Sequence, residues 1–277
     1  MQGASREALK ASLASFEDKV GSLPDGAGSG EVSDGLFAVA GLLDREPSLR
    51  RALSDPASTP GSRRQLVQNL LGSQLAPLPL QVLQDVVEQP WSSPVDLRDG
   101  VEKVAATAAL RAAEGSGELD DVEDELFRFA RLLEREPALR AALTDPGLPA
   151  ERKSAILTDL LGGKAKETTV QLVDVSVNRR RGRSLEDLLE ELSTLAAQRR
   201  ERYVAHVRVA LPLDATQTSR LQSSLARIYG REVQLQVDVD PTVVGGVQVR
   251  VGRGPDTEVL DGTVTRKLEA ARRGLAR

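Results

Sequence analysis

"LLEREPALRAALTDP", residues 132–146, reproduces a stretch ninety residues earlier, "LLDREPSLRRALSDP" at 42–56, with eleven of fifteen positions identical. The match extends without a gap from 36–72 to 126–162. Both copies carry Leu-Phe, Leu-Leu, Arg-Glu-Pro, Leu-Arg, Ala-Leu, Asp-Pro and a closing Leu-Leu-Gly. Solenoid units repeat every 20 to 50 residues or so, whereas ninety is the length of a small domain. The chain therefore reads as a duplicated domain.

Each copy spells short helices. Leu126, Phe127, Ala130 and Leu133 recur with helical spacing and predict one apolar face. Pro137 suits the first turn of the next helix, where a missing N–H costs nothing. Leu139, Ala142 and Leu143 form its stripe, and Asp145-Pro146 stops it. Ile156, Leu157, Leu160 and Leu161 line a third helix that Gly162 can end, and in the first copy Ser62 and Gln65 read as a capping box for the equivalent helix. Further helices are predicted at 80–88, 95–113, 168–177 and 184–200. The fold class is mainly α: two tandem helical bundles, residues 1–100 and 101–200, followed by a small α/β domain at 201–277.

The period changes after Tyr203. Tyr203, Ala205, Val207, Val209 and Leu211 face one way and His206 and Arg208 the other, as a strand with one buried face requires. Asp214 and Gln217 predict a capped helix with Leu221, Leu225 and Ile228 on its apolar side and Gly230 at its end. "EVQLQVDV" (232–239) alternates again, with Val233, Leu235, Val237 and Val239 facing inward. "VVGGVQVRV" (243–251) predicts another strand, its paired glycines marking a bulge or a close backbone approach. After a loop, Val264, Leu268, Ala271 and Leu275 stripe a final helix.

Composition narrows the function. The 277 residues are 40% hydrophobic and 28% charged with 3% aromatics, so the cores rest on Leu, Val and Ala. No apolar run approaches the ~18 residues of a membrane span. The N-terminal stretch lacks the pattern of a secretory signal, and a cytoplasmic location is the default expectation. Without cysteine there is no disulfide, thiolate metal site or cysteine nucleophile. The single histidine, His206, falls on the polar side of a strand with no partner implied nearby. "GGKAK" (162–166) lacks the earlier glycine, the Ser or Thr after Lys and the strand–loop–helix setting of a phosphate loop, and "GRGPD" (252–256) reads as a flexible loop. The acidic "ELDDVEDEL" (118–126) suits a helix N-terminus, where the dipole favours negative charge. "NRRRGR" (178–183) is the densest basic run. It reads as a solvated connection neutralised by the following "LEDLLEEL" (185–192), or alternatively as the nucleic-acid contact, through Arg179 to Arg183, of a helical regulatory protein. No catalytic constellation, metal site or cofactor site emerges.

"GELDDVEDELFRFARLL", "EPALRAALTDPGLPAERKSAILTDLL" and above all "VDVDPTVVGGVQVRVG…LDGTVTRKLEAAR" resemble the delta subunit family of bacterial F-type ATP synthase, whose mitochondrial counterpart is the oligomycin-sensitivity-conferring protein. Asp240, Pro241, Gly245, Gly246, Gly252, Asp261 and Gly262 follow the family signature in order, as structural positions. The resemblance covers residues 101–277. "RGPDT" (253–257) lengthens one loop, and residues 1–100 are an extra copy of the helical domain, as in the lengthened form of high-GC Gram-positive bacteria.

The resemblance implies a non-catalytic peripheral-stalk (stator) subunit, without cofactors, bound to the plasma membrane's cytoplasmic face only through its complex. It implies that a helical bundle captures the N-terminal helices of alpha subunits and that the C-terminal domain grips the b subunits. No nucleic acid is implied. In the second bundle the first and fifth helices would form the alpha groove, with Val104, Ala108, Leu172, Val173 and Val177 as its candidate residues. Whether one or both copies dock a helix is left open by the sequence.

Overall fold

The computed structural model describes residues 3–21, 23, 27–201, 204–229, 233–240, 247–251 and 258–261. They divide into two compact units, Met1–Ala196 and Ala197–Arg277. The first unit contains α1 (Gly3–Gly21), α2 (Ser29–Arg45), α3 (Pro47–Ser54), α4 (Pro60–Leu71), α5 (Pro77–Glu88) and α6 (Pro94–Gly115). It continues through α7 (Leu119–Arg135), α8 (Pro137–Thr144), α9 (Ala150–Leu161), α10 (Glu167–Asn178) and α11 (Leu185–Glu201), whose last turn passes the boundary.

The helices α2 to α5 and α7 to α10 coincide residue for residue at the ninety-residue offset. The same offset carries α1 onto α6 and α6 onto α11. Helix α6 thus closes the first copy and opens the second, and the boundary expected at residue 100 falls inside it. A helix serving two bundles needs apolar surface on every side. Residues 104 to 111 are buried without interruption, more than two full turns. Its tightest neighbour is α2, which runs antiparallel to it: Asp44 meets Arg98 at one end, and a Cβ on Gly30 would lie 4.0 Å from Ala112 Cβ at the other. Small side chains set that closeness. Gly30 comes close to Ala112, Ala40 is buried on α2, and Ala105, Ala108 and Ala109 are buried on α6. One continuous core runs from Ala8 through both copies to Ala196.

Helix ends follow local chemistry. Proline occupies the first turn of α3, α4, α5, α6 and α8. Asp120 and Asp121 sit in the first turn of α7, where the dipole favours them, and Gly162 follows α9 as its C-cap. The capping box expected from Ser62 and Gln65 is not formed. Thr59 is the N-cap of α4, accepting from Ser62 N at 3.2 Å, while Gln65 Nε2 donates to Asn69. Pro60 moves the helix start upstream, because its fixed φ is already helical. Buried Arg63 then closes the C-terminal end of α5, donating to the carbonyls of Val87 at 2.6 Å and Glu88 at 2.8 Å. The second copy keeps a buried cation there as Lys153.

Phe127 departs from its expected buried face. Leu126, Phe129 and Leu133 fill the core of α7, leaving Phe127 54% exposed with the Arg131 guanidinium over its ring at 5.6 Å. Its counterpart in the first copy, Phe37, is buried.

The second unit holds β1 (Val204–Val209), α12 (Ala215–Tyr229), β2 (Gln234–Val239), β3 (Val247–Val251) and β4 (Glu258–Asp261) in a sheet of order β2-β1-β3-β4. The β1–β2 pair is parallel and the other two are antiparallel. The crossover through α12 starts at a complete capping box: Gln217 N donates to Asp214 Oδ1 at 2.7 Å, and Asp214 N donates to Gln217 Oε1 at 3.0 Å. Ala205, Val207, Val209, Leu225, Val233 and Val249 form the core. Val237 and Val239, expected inward, are 38% and 44% exposed because the covered end of β2 is the end at Val233 and Leu235. Strand β4 occupies part of what the sequence predicts as loop. The expected helix through Val264 to Leu275 lies outside the described residues, and Leu211, expected on the inward face of the strand, is 77% exposed past the end of β1.

Gly100 is required where α6 passes Trp91: a Cβ there would stand 2.1 Å from the indole Cη2. Gly100→Ala gains about 1 kcal/mol of helix propensity and loses about 1–3 kcal/mol to overpacking. We expect a lower melting temperature by circular dichroism, largely recovered by adding Trp91→Phe. An unchanged melting temperature would show that the indole moves aside freely.

Candidate helix-docking groove

A cleft of about 550 Å³ opens between α6, α10 and α11, with Leu9 of α1 and Phe37 of α2 also in its lining. Phe37, Ala106, Leu172 and Val175 form its apolar base, and Leu9, Val95, Leu188 and Leu192 its sides. Arg98, Asp99, Glu102, Lys103, Glu191 and the 179–183 segment bring charge of both signs to the rim. An apolar trough walled by helices, with a charged rim, is the complement of an amphipathic helix.

The five residues expected in the groove are all core. Val104, Ala108 and Val173 are 0% exposed, Leu172 1% and Val177 2%. Leu172 reaches the cleft; the other four do not line it. Helix α10 is covered on one side by the first copy. Gln171 Nε2 donates to Asp34 at 2.6 Å, and Arg179 donates to the Phe37 carbonyl at 2.8 Å. The sequence pattern identifies the apolar stripe of each helix, but a second bundle packed through a shared helix consumes part of it.

The basic run is more than a solvated connection, although residues 181–183 are exposed. Arg181 grips Asp44 with two nitrogens, Nε to Oδ1 at 3.0 Å and Nη2 to Oδ2 at 2.7 Å, and reaches Glu102 at 2.6 Å. Arg98 joins from α6, 3.1 Å from Asp44. Arg180 donates to the Thr144 carbonyl at 2.8 Å, and Arg183 to Glu191 at 2.7 Å. The pairing with the following acidic helix is therefore real but is one contact of several, and the main acceptors belong to α2 and α6. Burial works against the Arg181 charge, yet its hydrogen bonds to the Asp44 and Glu102 carboxylates outweigh it and raise its pKa. Arg179, whose largest influence is burial, is shifted down. Arg181 also holds φ 50°, the left-handed region unusual for a non-glycine residue; the bidentate grip fixes it there. The acidic 118–126 stretch is likewise engaged, Glu118 and Asp121 with Lys166, and Glu125 with the Lys166 amide at 2.9 Å.

Of the C-terminal signature, Asp240 continues the sheet end, its amide donating to the Val209 carbonyl at 2.8 Å, and Asp261 ends β4. Pro241, Gly245, Gly246, Gly252 and Gly262 lie outside the described residues. His206 takes its place in β1, in register with Gln236 and Arg250.

Two predictions follow from the rim. For Arg181 and Asp44, a double-mutant cycle to alanine should give a coupling of about 1–2 kcal/mol, since the pair is bidentate and only partly exposed; additive single losses would make the contact incidental. Glu191 is half-buried, which raises its pKa, but hydrogen bonds from Lys103 and Arg183 more than offset this and hold it below the usual carboxylate value. A depressed folded pKa contributes stability above the unfolded value, near 4.3, that is lost as pH falls through the folded value. Glu191→Gln should therefore flatten the acid limb of the stability curve below about pH 4.3. An acid limb identical in both proteins would contradict this.

Comparison with known proteins places this architecture. Residues 101–275 match the family described as ATP synthase delta (OSCP) subunit. The chain is 47% identical to the ATP synthase subunit delta of Parafrankia sp. (strain EAN1pec), with all of both chains covered. It is 44% identical to that of Thermobifida fusca, again over all of both chains. The Streptomyces avermitilis protein is 46% identical over 99% of this chain and 98% of its own length. Because the relatives match end to end, the extra copy is part of their plan too. On a family match over residues 101–275 and identities of this size across its whole length, the chain belongs to the ATP synthase delta (OSCP) subunit family.

Proposed function

We infer that the chain acts as the delta subunit of an F-type ATP synthase, a peripheral-stalk component with a structural rather than catalytic task. The end-to-end similarity to ATP synthase delta subunits carries this reading. Its place is within the ATP synthase complex. Among the described residues no helix is long and apolar enough to cross a membrane, so attachment runs through the complex, on the cytoplasmic face of the plasma membrane.

Within that role, the chain divides its work along three stretches. Residues 101–200 receive the N-terminal helix of an alpha subunit in the cleft between α6, α10 and α11. Support comes from the shape of the cleft and its mixed-charge rim. Val104, Ala108, Val173 and Val177 act beneath it as the rigid bed, and Leu172 meets the docked helix. Residues 201–277 bind the b subunits. The exposed apolar side chains Leu211, Ile228, Val237 and Val239 favour such a contact. Residues 1–100 brace the second copy through α2 and the shared α6. The arginines at 179 to 183 are spent on internal acceptors, which argues against nucleic acid as the partner.

The test is reconstitution. ATP synthase stripped of this chain should lose ATP-driven proton pumping and recover it on adding the chain back, while the chain alone hydrolyses no ATP. A stripped complex that pumps undiminished would overturn the reading. Binding of the chain to duplex DNA at physiological salt, weakening steeply as salt rises, would favour the alternative.

A further inference from the structure

The two copies present the same helices at the same spacing, but they do not present the same groove. At the position where the second copy has Ala106 at the base of the cleft, the first has Phe16, fully buried. Where the second has Arg181 at the rim, the first has Trp91, 5% exposed, with Nε1 donating to the Val86 carbonyl at 2.7 Å. The indole lies against Gly100 of α6, where no other residue type leaves room. The counterpart of Gly100 is Glu190, an exposed residue of α11 that offers no such seat. Consequently α6 closes down on α1 and α5, whereas among the described residues α11 makes no comparably close approach to α6 or α10.

The rest of the lining differs in the same sense. Leu188 and Leu192 of the second copy correspond to Arg98 and Glu102 of the first, and both of those side chains are committed to Asp44 and Arg181 respectively. The apolar sides of a groove have been exchanged for charges that bind the copies together.

We propose that the duplication does not double the helix grip: the first copy carries its own plug, Phe16 and Trp91, and the chain accepts one amphipathic helix, at the second copy only. This rests on the docking reading above and adds which copy docks and how many helices it takes. The plugged copy gains a filled interior at the cost of a binding site. A rigid brace needs that exchange, because an empty apolar groove invites nonspecific partners.

Calorimetric titration of the full chain with the N-terminal peptide of the alpha subunit from the same organism reads the stoichiometry directly. One peptide per chain is expected. Ala106→Phe, which writes the first copy's residue into the second, should weaken binding at least tenfold. The chain has no cysteine, so Lys103→Cys and Leu13→Cys, equivalent positions in the two copies, give independent reporters. Peptide should slow maleimide labelling at Cys-substituted 103 and leave 13 unaffected, even if Ala106→Phe fails to fold. Two peptides per chain, or protection at 13, would overturn the proposal while leaving the docking reading intact. No binding by the unaltered chain would remove the docking reading, and this inference with it.

Discussion

The helical unit depends on one helix having no solvent face along most of its middle. Helix α6 is the last helix of one bundle and the first of the next, so its surface must satisfy two sets of neighbours at once. The chain meets this with small residues: Gly30 of α2 comes close to Ala112, Ala40 on α2 and Ala105, Ala108 and Ala109 on α6 are small and buried, and Leu97, Val101, Val104 and Leu110 fill the remaining directions. Bulk at the close-packed positions would force the pair apart, because interaxial distance follows the side chains at the contact. A joint made by a shared, buried helix has no linker at which two domains swing. That is a useful property in a subunit whose family holds one part of a rotary machine still against another.

Charge supplies the second fixing. Between the copies, Asp44 receives Arg98 and Arg181, and Arg181 in turn reaches Glu102. Isolated exposed pairs contribute little, but partly buried, bidentate and networked ones contribute more and carry direction. Here the direction matters: the Arg181 backbone stands in a left-handed conformation that a non-glycine residue adopts only when its surroundings hold it. The turn after α10, which introduces α11, is thereby anchored to α2 and α6 as well as to Thr144 and Glu191 of its own bundle. The cleft beneath α11 owes its outline to that anchoring.

Duplication followed by divergence gives the simplest account of the fold's asymmetry. Equivalent helices were kept, with equivalent proline starts and an equivalent buried cation at Arg63 and Lys153. The interior contents were not kept: Phe16 and Trp91, both buried, stand where the second copy has Ala106 and Arg181, which line its cleft. The same scaffold thus carries different interiors in its two halves.

Much of this was legible in the sequence. The ninety-residue repeat, the Pro and Asp-Pro punctuation and the apolar periodicity identify the helices, and alternation after Tyr203 identifies β1, α12 and β2, because local backbone preferences and one-sided burial leave periodic marks. The signature from Asp240 to Gly262 identified the family. What periodicity cannot state is which side of a doubly used helix remains free. Val104, Ala108, Val173 and Val177 carry the right stripe and are sealed in the core, while Phe127 carries it and is exposed. Nor does a basic run disclose its acceptors, since Asp44 and Arg181 lie far apart in the chain and meet only on folding. Even so, aligning the copies marks Phe16 against Ala106 and Trp91 against Arg181 as the places where they differ. The sequence determined the helices, their duplication and the family; the tertiary structure decided which apolar faces are sealed and which stay open, because burial at a shared helix is a property of packing between distant segments and leaves no local period to read.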